Sequence, residues 1–447
     1  MQEKHPAGGY QAAGGYQAAG VLNVTPRTLN RLERRTSFGE VEFTLTVAQA
    51  VQEANRCLYC YDAPCIQGCP ARIQIPEFIA RIRSHNLTGA AEVIYRDNPL
   101  GAICGRVCPV EALCQKGCTS CRINKPIAIG SLQRFVCDLA IQEGRIAFQD
   151  ETAVKGKVAV VGAGPAGLSC AHYLRQLGCD VDLFEREETA GGLLRWGIPS
   201  YRLPEEVAKR EIDNIVKSVA LHQKALLGAQ AEDFLEQYDA IFLGIGLSSP
   251  VYLRIPGADL PGVYAAATFL RALREEKGAD FAFFGKEIAV IGGGATALDA
   301  ARSAIRLGAA KVAVLYRRTI EEMPAFSSEI EAAFHEGVDF LWLTSPVEII
   351  QVDGRLKLIL ESIRLGEPDE SGRASVIPTG AKTSFLADAV LVAIASQAEP
   401  ASAEGWKDHP KVFRGGDLVG GATVVQAVAD GKEAALRIIS SLEKGGS

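Results

Sequence analysis

The chain has 447 residues, a formal net charge of −6 and 48% apolar against 22% charged residues, which is the make-up of a globular protein with a length that is a prior for about three domains. The acidic balance, with a pI near 5.7, gives no footprint for nucleic acid or an anionic membrane, and no apolar run reaches the roughly 20 residues that span a bilayer. Twelve cysteines without a basic-then-apolar leader in MQEKHPAGGY predict a reducing, cytoplasmic setting, where disulfides are a poor reading of so many thiols.

Residues 1–44 are expected to be a flexible arm. GGYQAA repeats in tandem at 8–13 and 14–19, and such a Gly/Ala-rich stretch buries too little surface to order itself. From 45 to 152 the pattern turns helical. Val47, Ala50, Val51, Ala54 and Leu58 recur at helical spacing from Thr46 to Tyr59. Pro76 opens a second helix, and Asn86 to Asp97 forms a third. No strand alternation and no large apolar core are evident, so metal centres are expected to staple this module.

Eight cysteines fall inside it, as Cys57, Cys60, Cys65 and Cys69, then Cys104, Cys108, Cys114 and Cys118. Prolines follow Cys69 and Cys108. Dense thiolate runs ending in Cys-Pro are like those that hold [4Fe–4S] clusters. Counted simply, they make two complete sets of four, with Cys104 a ligand and Gln133 an ordinary helix residue. Spacing alone also admits zinc.

At Lys157 the style changes. KVAVVGAGPAGLSCAHYLRQLGCDVDLFE reads as strand, glycine turn, helix and strand, and the unit recurs from Glu287, about 130 residues on. In the first unit Gly162 permits a tight turn, Gly164 lets backbone approach a pyrophosphate, and Gly167 lets helix and strand pack. Glu185 ends the next strand, where a carboxylate binds ribose hydroxyls. These features suit FAD, as does the GGD ending at Asp417. The second unit has Gly292, Gly293, Gly294 and then Ala297, with Tyr316, Arg317 and Arg318 in place of the acid. Two arginines favour a 2′-phosphate, hence NADPH, with NADH left open. AIFLGIG at 240–246 and AVLVAIAS at 389–396 read as strands joining two interlocked nucleotide units. The fold expected is therefore α/β: a helical domain at 45–152, a flavin domain at 153–285 and 397–447, and a NAD(P)H domain at 286–396. A helix is expected from about Thr423. Cys121, Cys137, Cys170 and Cys179 are expected to be inert or buried.

CLYCYDAPCIQGCP, DNPLGAICGRVCP, CQKGC, IGSLQRF, GAGPAGLSC, GIPSYRLP, GIGLSSP and GGDLVGGATVV resemble the N-terminal half of dihydropyrimidine dehydrogenase and the separate bacterial subunit that matches that half. The small chain of NADPH-dependent glutamate synthase is a more distant relative. The resemblance runs from about Thr44 onward. It implies two interlocked Rossmann-like domains of adrenodoxin-reductase type behind a helical domain with two [4Fe–4S] clusters. It assigns Cys57, Cys60, Cys65 and Cys118 to one cluster, and Cys69, Cys108, Cys114 and Gln133 to the other, leaving Cys104 free. For FAD it implies Gly162, Ala163, Gly164, Pro165, Ala166 and Gly167. With these go Glu185, Arg186, Gly192, Leu193, Arg202, Gly416, Asp417 and Thr423. For NAD(P)H it implies Gly293, Gly294, Ala295, Thr296, Arg317, Arg318, Ala393, Ile394 and Ala395. An arginine that the family places before a proline is absent, since Glu321, Glu322 and Met323 precede Pro324.

Hydride transfer between nicotinamide and flavin needs no side-chain acid or base, so no catalytic residue is named. The expected activity is electron input: NAD(P)H to FAD, then single electrons through the clusters to a partner. The resemblance implies as partner an FMN-barrel subunit that reduces uracil or thymine, or the large subunit of glutamate synthase; a module of another NAD(P)H-dependent redox complex is the third reading of the same class. A non-catalytic iron–sulfur and flavin sensor is the reading of another class.

Overall fold

The computed structural model describes residues 24–145, 155–225, 231–368, 372–398, 406, 409–421 and 423–445; the GGYQAA repeats lie outside them. Between 45 and 145 the described chain is helical. Thr46 caps Val47–Ala54 by accepting the Gln49 N–H while the Gln49 side chain reaches back, a reciprocal box that fixes the start of this helix. It stops at Ala54, short of Tyr59. Pro76 sits in the first turn of Ile75–Arg83, and Asn86 caps Leu87–Asp97. Helices Gly101–Val107 and Ile129–Gln142 follow.

The expectation that this region lacks a large core is corrected. Phe78, Ile79, Ile82, Ile94, Ile103 and Leu132 are at most 1% exposed, each worth about 1.5–3 kcal/mol of burial. Their core runs on into Leu168, Leu174, Val428 and Ile438. The helices share this apolar surface with helices Pro165–Gln176, Glu205–Val216 and Val424–Gly445 of the first nucleotide unit, which spacing within 45–152 cannot reveal.

Two five-stranded parallel sheets carry the nucleotide units. The first has the order Val412–Arg414, Ala240–Leu243, Lys157–Val161, Asp180–Phe184, Ala220–His222. The second has the order Val263–Ala265, Ala389–Val392, Glu287–Ile291, Lys311–Tyr316, Asp339–Trp342. Each glycine-bearing strand is central and nearly all buried, as parallel strands covered on both faces must be. The chain leaves the first sheet at Leu243, builds the second, and returns as Val412–Arg414. Ser249–Pro250 and Ser396–Gln397 pair antiparallel where it crosses out and back. The second sheet takes its edge strand from Val263–Ala265, upstream of the division expected at 286.

One sheet has no counterpart among the expectations. Thr344–Val352, Arg355–Pro368 and Ala374–Ala387 form an antiparallel three-stranded sheet. Its first turn is Asp353–Gly354, both with positive φ (49° and 77°), the conformation that suits a two-residue hairpin. Leu356, Leu358 and Leu360 alternate and pack onto Ala289, Leu315 and Val390 of the second sheet. The Asp-Gly pair beside alternating leucines was the legible signal.

The described part of the N-terminal arm is a strap. Helix Arg31–Thr36 leads to Val41, whose N–H donates to the Tyr201 carbonyl at 3.0 Å. Ser200 Oγ donates to the Phe38 carbonyl at 3.1 Å, as does Arg306 Nε to Ser37. Behind it, Glu336 is fully buried. It accepts from Arg302 at 3.0 and 2.9 Å and from Arg306 at 2.5 and 3.0 Å. The Arg306 guanidinium lies 3.7 Å from the Tyr201 ring centre. Burial pushes the Glu336 carboxyl up, but Arg306 and Arg302 outweigh it and hold it below the usual range.

Glu336→Ala is expected to cost about 3–5 kcal/mol in chemical denaturation, because two guanidiniums are left buried and uncompensated. A depressed folded pKa stabilises above the unfolded value, so the wild-type contribution should fade as pH drops through and below about 4.3.

Candidate functional site

The two cysteine groups cross over. Cys57, Cys60, Cys65 and Cys118 border one cavity, with Ile75, Ile79 and Ile127. Cys69, Cys104, Cys108 and Cys114 border a second, with Gln133, Asn98, Ile75 and Val425. Ile75 is common to both, so the cavities are neighbours. Four thiols bordering each space match the demand of a polynuclear cluster, whose iron atoms each take one thiolate.

Burial pushes the Cys65 thiol up to about 11 and Cys114 up to about 12. It also raises Cys57 and Cys69. Cys108 is raised chiefly by a hydrogen bond with Cys104, then by burial. Without iron these groups stay protonated, so cluster assembly must release protons. Both candidates for the eighth ligand reach the second cavity. Cys104 is 1% exposed and Gln133 7%. Gln133 Nε2 donates to the Gly101 carbonyl at 2.8 Å, which leaves its Oε1 as the atom able to offer a lone pair to iron.

The first glycine turn shows three separate jobs. Gly162 has φ +96°, and a Cβ there would lie 2.6 Å from the Gly244 carbonyl. A Cβ on Gly167 would lie 1.8 Å from the Gly162 carbonyl, whereas one on Gly164 would meet nothing within 4 Å. The open side at Gly164 is where a pyrophosphate fits, at the start of helix Pro165–Gln176. Glu185 Oε2 accepts the Ala163 N–H at 2.9 Å, and Oε1 accepts the Glu187 N–H at 3.0 Å. The carboxylate thus braces the turn and keeps lone pairs for ribose hydroxyls.

Further segments converge there. A Cβ on Gly192 would lie 3.0 Å from Gly164 Cα, and one on Gly416 would lie 2.9 Å from Ala166 Cβ. Leu193 is half-exposed beside Gly192. The Gly416 N–H donates to Asp430 at 2.9 Å. Burial, and secondly Asp430, raise the neighbouring Asp417 carboxyl. Thr423 Oγ1 accepts the Gln426 N–H at 3.2 Å, starting the C-terminal helix Val424–Gly445. Arg186 is exposed and lies 3.6 Å from Glu187. Arg202 is paired across to the second unit, with Asp299 and Glu329 at 2.7 Å each.

The second turn repeats the plan. Gly292 has φ +139°, and a Cβ there would lie 2.1 Å from the Ala393 carbonyl; Gly294 again faces open space. Ala295 and Thr296 open helix Ala295–Arg306. The Ala395 carbonyl accepts the Val251 N–H at 3.1 Å, and Ile394 is 42% exposed. A Cβ on Gly293 would lie 2.5 Å from the Tyr316 ring. Arg317 is exposed, but Arg318 is 3% exposed and its Nε donates to the Ala374 carbonyl at 2.8 Å. Arg318 therefore anchors the antiparallel sheet. Sequence reasoning missed Gly244, which closes over the first glycine turn as Ala393 closes over the second; GIG at the end of a strand was the signal. Cys137, Cys170 and Cys179 are buried, and Cys121 is exposed.

Residues 34–145 match the family model described as dihydropyrimidine dehydrogenase domain II, 4Fe-4S cluster, and residues 156–431 that of pyridine nucleotide-disulphide oxidoreductase. The chain is 38% identical over 423 residues to the NAD-dependent dihydropyrimidine dehydrogenase subunit PreT of Escherichia coli, covering 92% of this chain and 99% of that one. It is 35% identical over 446 residues to the glutamate synthase [NADPH] small chain of Halomonas elongata, covering 92% and 94%. Among solved structures, FprA from Mycobacterium tuberculosis in complex with NADPH shares the fold, with TM-score 0.56 and 19% identity over 65% of this chain and 86% of that one. No helix among the described residues is long and apolar enough to cross a membrane.

Gly164→Val should fold normally, since its Cβ meets nothing, yet lose most bound FAD; unchanged flavin absorbance per chain would remove Gly164 from the site. Gln133→Ala should lower iron content or alter one of two cluster EPR signals, while Cys104→Ala does neither. The reverse pattern makes Cys104 the ligand.

Proposed function

Because the chain belongs to the pyridine nucleotide-disulphide oxidoreductase family and carries the 4Fe-4S domain II of dihydropyrimidine dehydrogenase ahead of that module, we propose that it is the electron-input subunit of a dihydropyrimidine dehydrogenase. The chain is an NAD(P)H-dependent FAD iron–sulfur oxidoreductase. The finer reading is that its electrons go to a partner subunit with an FMN barrel, for reduction of uracil or thymine to the 5,6-dihydro form.

The observation that carries the electron-input reading is continuity. Val425, which borders the second thiol cavity, stands two residues beyond Thr423 in the flavin cradle, and Ile75 is shared with the first cavity. Bound FAD would supply the exchange between two-electron and one-electron chemistry. The residues do the rest. The turn from Gly162 to Gly167 would hold the flavin's pyrophosphate, Glu185 its ribose, and Gly416, Asp417 and Thr423 would complete the cradle. Gly293 to Thr296 and Ala393 to Ala395 would receive the pyridine nucleotide. Arg317 would offer its guanidinium to a 2′-phosphate, with Arg318 as a support. Cys57, Cys60, Cys65 and Cys118 would hold one cluster, and Cys69, Cys108, Cys114 and Gln133 the other.

The pyrimidine branch is favoured by the DAPC and IGSLQRF segments and by the 99% coverage of the PreT relative. A second reading, the small subunit of glutamate synthase, draws on the RR and EEMPA run at 317–325 and on the Halomonas relative. In either case the chain delivers electrons and the partner sets the product.

Purified anaerobically with its FAD and iron counted, the chain should reduce ferricyanide with NAD(P)H; no reduction by a fully loaded preparation overturns the reading. Arg317→Ala should raise KM for NADPH by about 10- to 100-fold, the equivalent of one lost charge-assisted contact, and leave NADH unaffected. Affinity capture from native cells should bring down an FMN-barrel protein and uracil-dependent turnover. A glutamine amidotransferase in its place assigns the chain to glutamate synthesis.

A further inference from the structure

Helix Glu205–Val216 belongs to the flavin unit, but it carries Glu211 into the wall of the helical region. Glu211 is 1% exposed. Its Oε1 accepts the Ala102 N–H at 2.6 Å and the Tyr95 hydroxyl at 2.8 Å, and its Oε2 accepts the Ile103 N–H at 3.0 Å. Those two N–H groups open helix Gly101–Val107, which carries Cys104 and leads to Cys108. The Gly101 carbonyl in the same turn holds Gln133 Nε2. One carboxylate therefore ties the flavin unit to the wall of the second thiol cavity.

No ion pair to Glu211 forms among the described residues. The groups around it are occupied or neutral. From helix Gly101–Val107, Arg106 is spent on Glu40 at 2.7 Å and Asp138 at 2.6 Å. Helix Ile129–Gln142 brings Asp138, already paired, and Arg134, paired with Glu40. It also brings Cys137, a fully buried thiol raised by burial and then by Glu211. From Leu87–Asp97 comes the Tyr95 hydroxyl, held protonated chiefly by burial. Helix Pro165–Gln176 brings Tyr173 and His172, which burial keeps neutral, and Leu193–Trp196 brings Arg195, paired with Glu205. Burial pushes the Glu211 carboxyl up to about 7, against the pull of the Ala102 and Ile103 N–H groups, the Tyr95 hydroxyl and Arg106.

We propose that Glu211 is a redox-linked proton site, taking one proton from solvent water when one electron reaches the second thiol cavity and releasing it when the electron leaves. The inference rests on the electron route proposed above. The electron comes from NAD(P)H by way of the flavin, and the proton forms an O–H bond on the Glu211 carboxylate, so the buried region gains no net charge. An uncompensated negative charge beside an existing buried carboxylate is costly in low dielectric, and that cost is what couples the two arrivals. Tyr95 makes the neutral state workable. Its hydroxyl donates to ionised Glu211, and a hydroxyl also accepts. On protonation it turns, accepts from Glu211 and donates to Cys137, with which it is already in hydrogen-bond contact. Glu211 is thus a positioning residue for the cavity wall as well as a charge buffer.

The test compares the wild type with Glu211→Gln, both reduced by deazaflavin and light so that neither depends on NAD(P)H oxidation. EPR-monitored titrations are run on both sides of neutrality. In the wild type the potential of the signal altered by Gln133→Ala should fall above about pH 7, towards a tenfold change in equilibrium constant per pH unit, about 59 mV for a one-electron couple. In Glu211→Gln it should be flat. Redox-difference infrared spectra should gain a protonated-carboxyl C=O band on reduction of the wild type, absent from the variant. Should the variant fail to retain its iron, the wild-type band and its shift in deuterium oxide decide alone. A flat wild-type potential, equal slopes in both proteins, or no carboxyl band overturns the proposal. Failure to oxidise NAD(P)H would overturn the functional reading and leave these readouts measurable.

Discussion

The contact on which the cofactor arrangement depends is the crossing of two helices, Pro165–Gln176 and Val424–Gly445. A Cβ on Gly431 would lie 2.2 Å from the Ala166 carbonyl, so the backbones touch and only glycine permits it. Ser169 Oγ seals the approach by donating to the Val428 carbonyl at 2.7 Å. With the helix pressed this close, its first turn has one place to go. Gly416, just upstream, falls against Ala166 of the first glycine turn, and Val425 falls against the second thiol cavity. A bulkier residue at 431 would lift the helix and separate the two sites together. The shared core of helical region and flavin unit has the same effect on a larger scale, since interiors packed to crystal-like density transmit displacement rather than absorb it.

The internal repeat builds one turn plan twice. In both sheets a positive-φ glycine ends the central strand, and a residue arriving late in the chain closes over it: Gly244 above Gly162, Ala393 above Gly292. The difference lies at the end of the following strand. In the first unit Glu185 reaches back to the turn. In the second Tyr316 fills that space with its ring, its hydroxyl donating to the Glu322 carbonyl at 2.7 Å, and leaves Arg317 outside. A carboxylate would repel a 2′-phosphate; an exposed guanidinium attracts one.

Local motifs were legible in the sequence because backbone geometry dictates them. Gly162, Gly164 and Gly167 each hold the position that its chemistry requires, and Thr46 and Asn86 cap the helices that follow them. What could not be read from spacing was convergence. Counting cysteines in order gives two sequential sets of four, whereas the fold sends Cys118 back to Cys57 and Cys69 forward to Cys108. Only the resemblance to a known family anticipated that crossing. Arg202 and Arg318 have the right chemistry for anions, yet Arg202 is drawn to Asp299 and Glu329, and Arg318 to the edge of a sheet that went unforeseen. A side chain's partners are set by tertiary packing, and a motif fixes only its neighbourhood. The same reason hid the core of the helical region, half of which is supplied by residues after 165.

The two cavities differ in what surrounds them, and the difference has a direction. The second is walled by Cys104, Ile73 and Val425, all at most 2% exposed, and lies against the flavin cradle. The first is bordered by Leu58, 47% exposed, and its lining segments lead to Tyr61 and Ile123, among the most exposed large apolar residues described. Burial disfavours added negative charge, and exposure relieves that cost. On the route proposed above, an electron therefore meets the stronger electrostatic opposition at the second cavity and the weaker one at the first. The gradient in burial alone favours movement from the second cavity to the first.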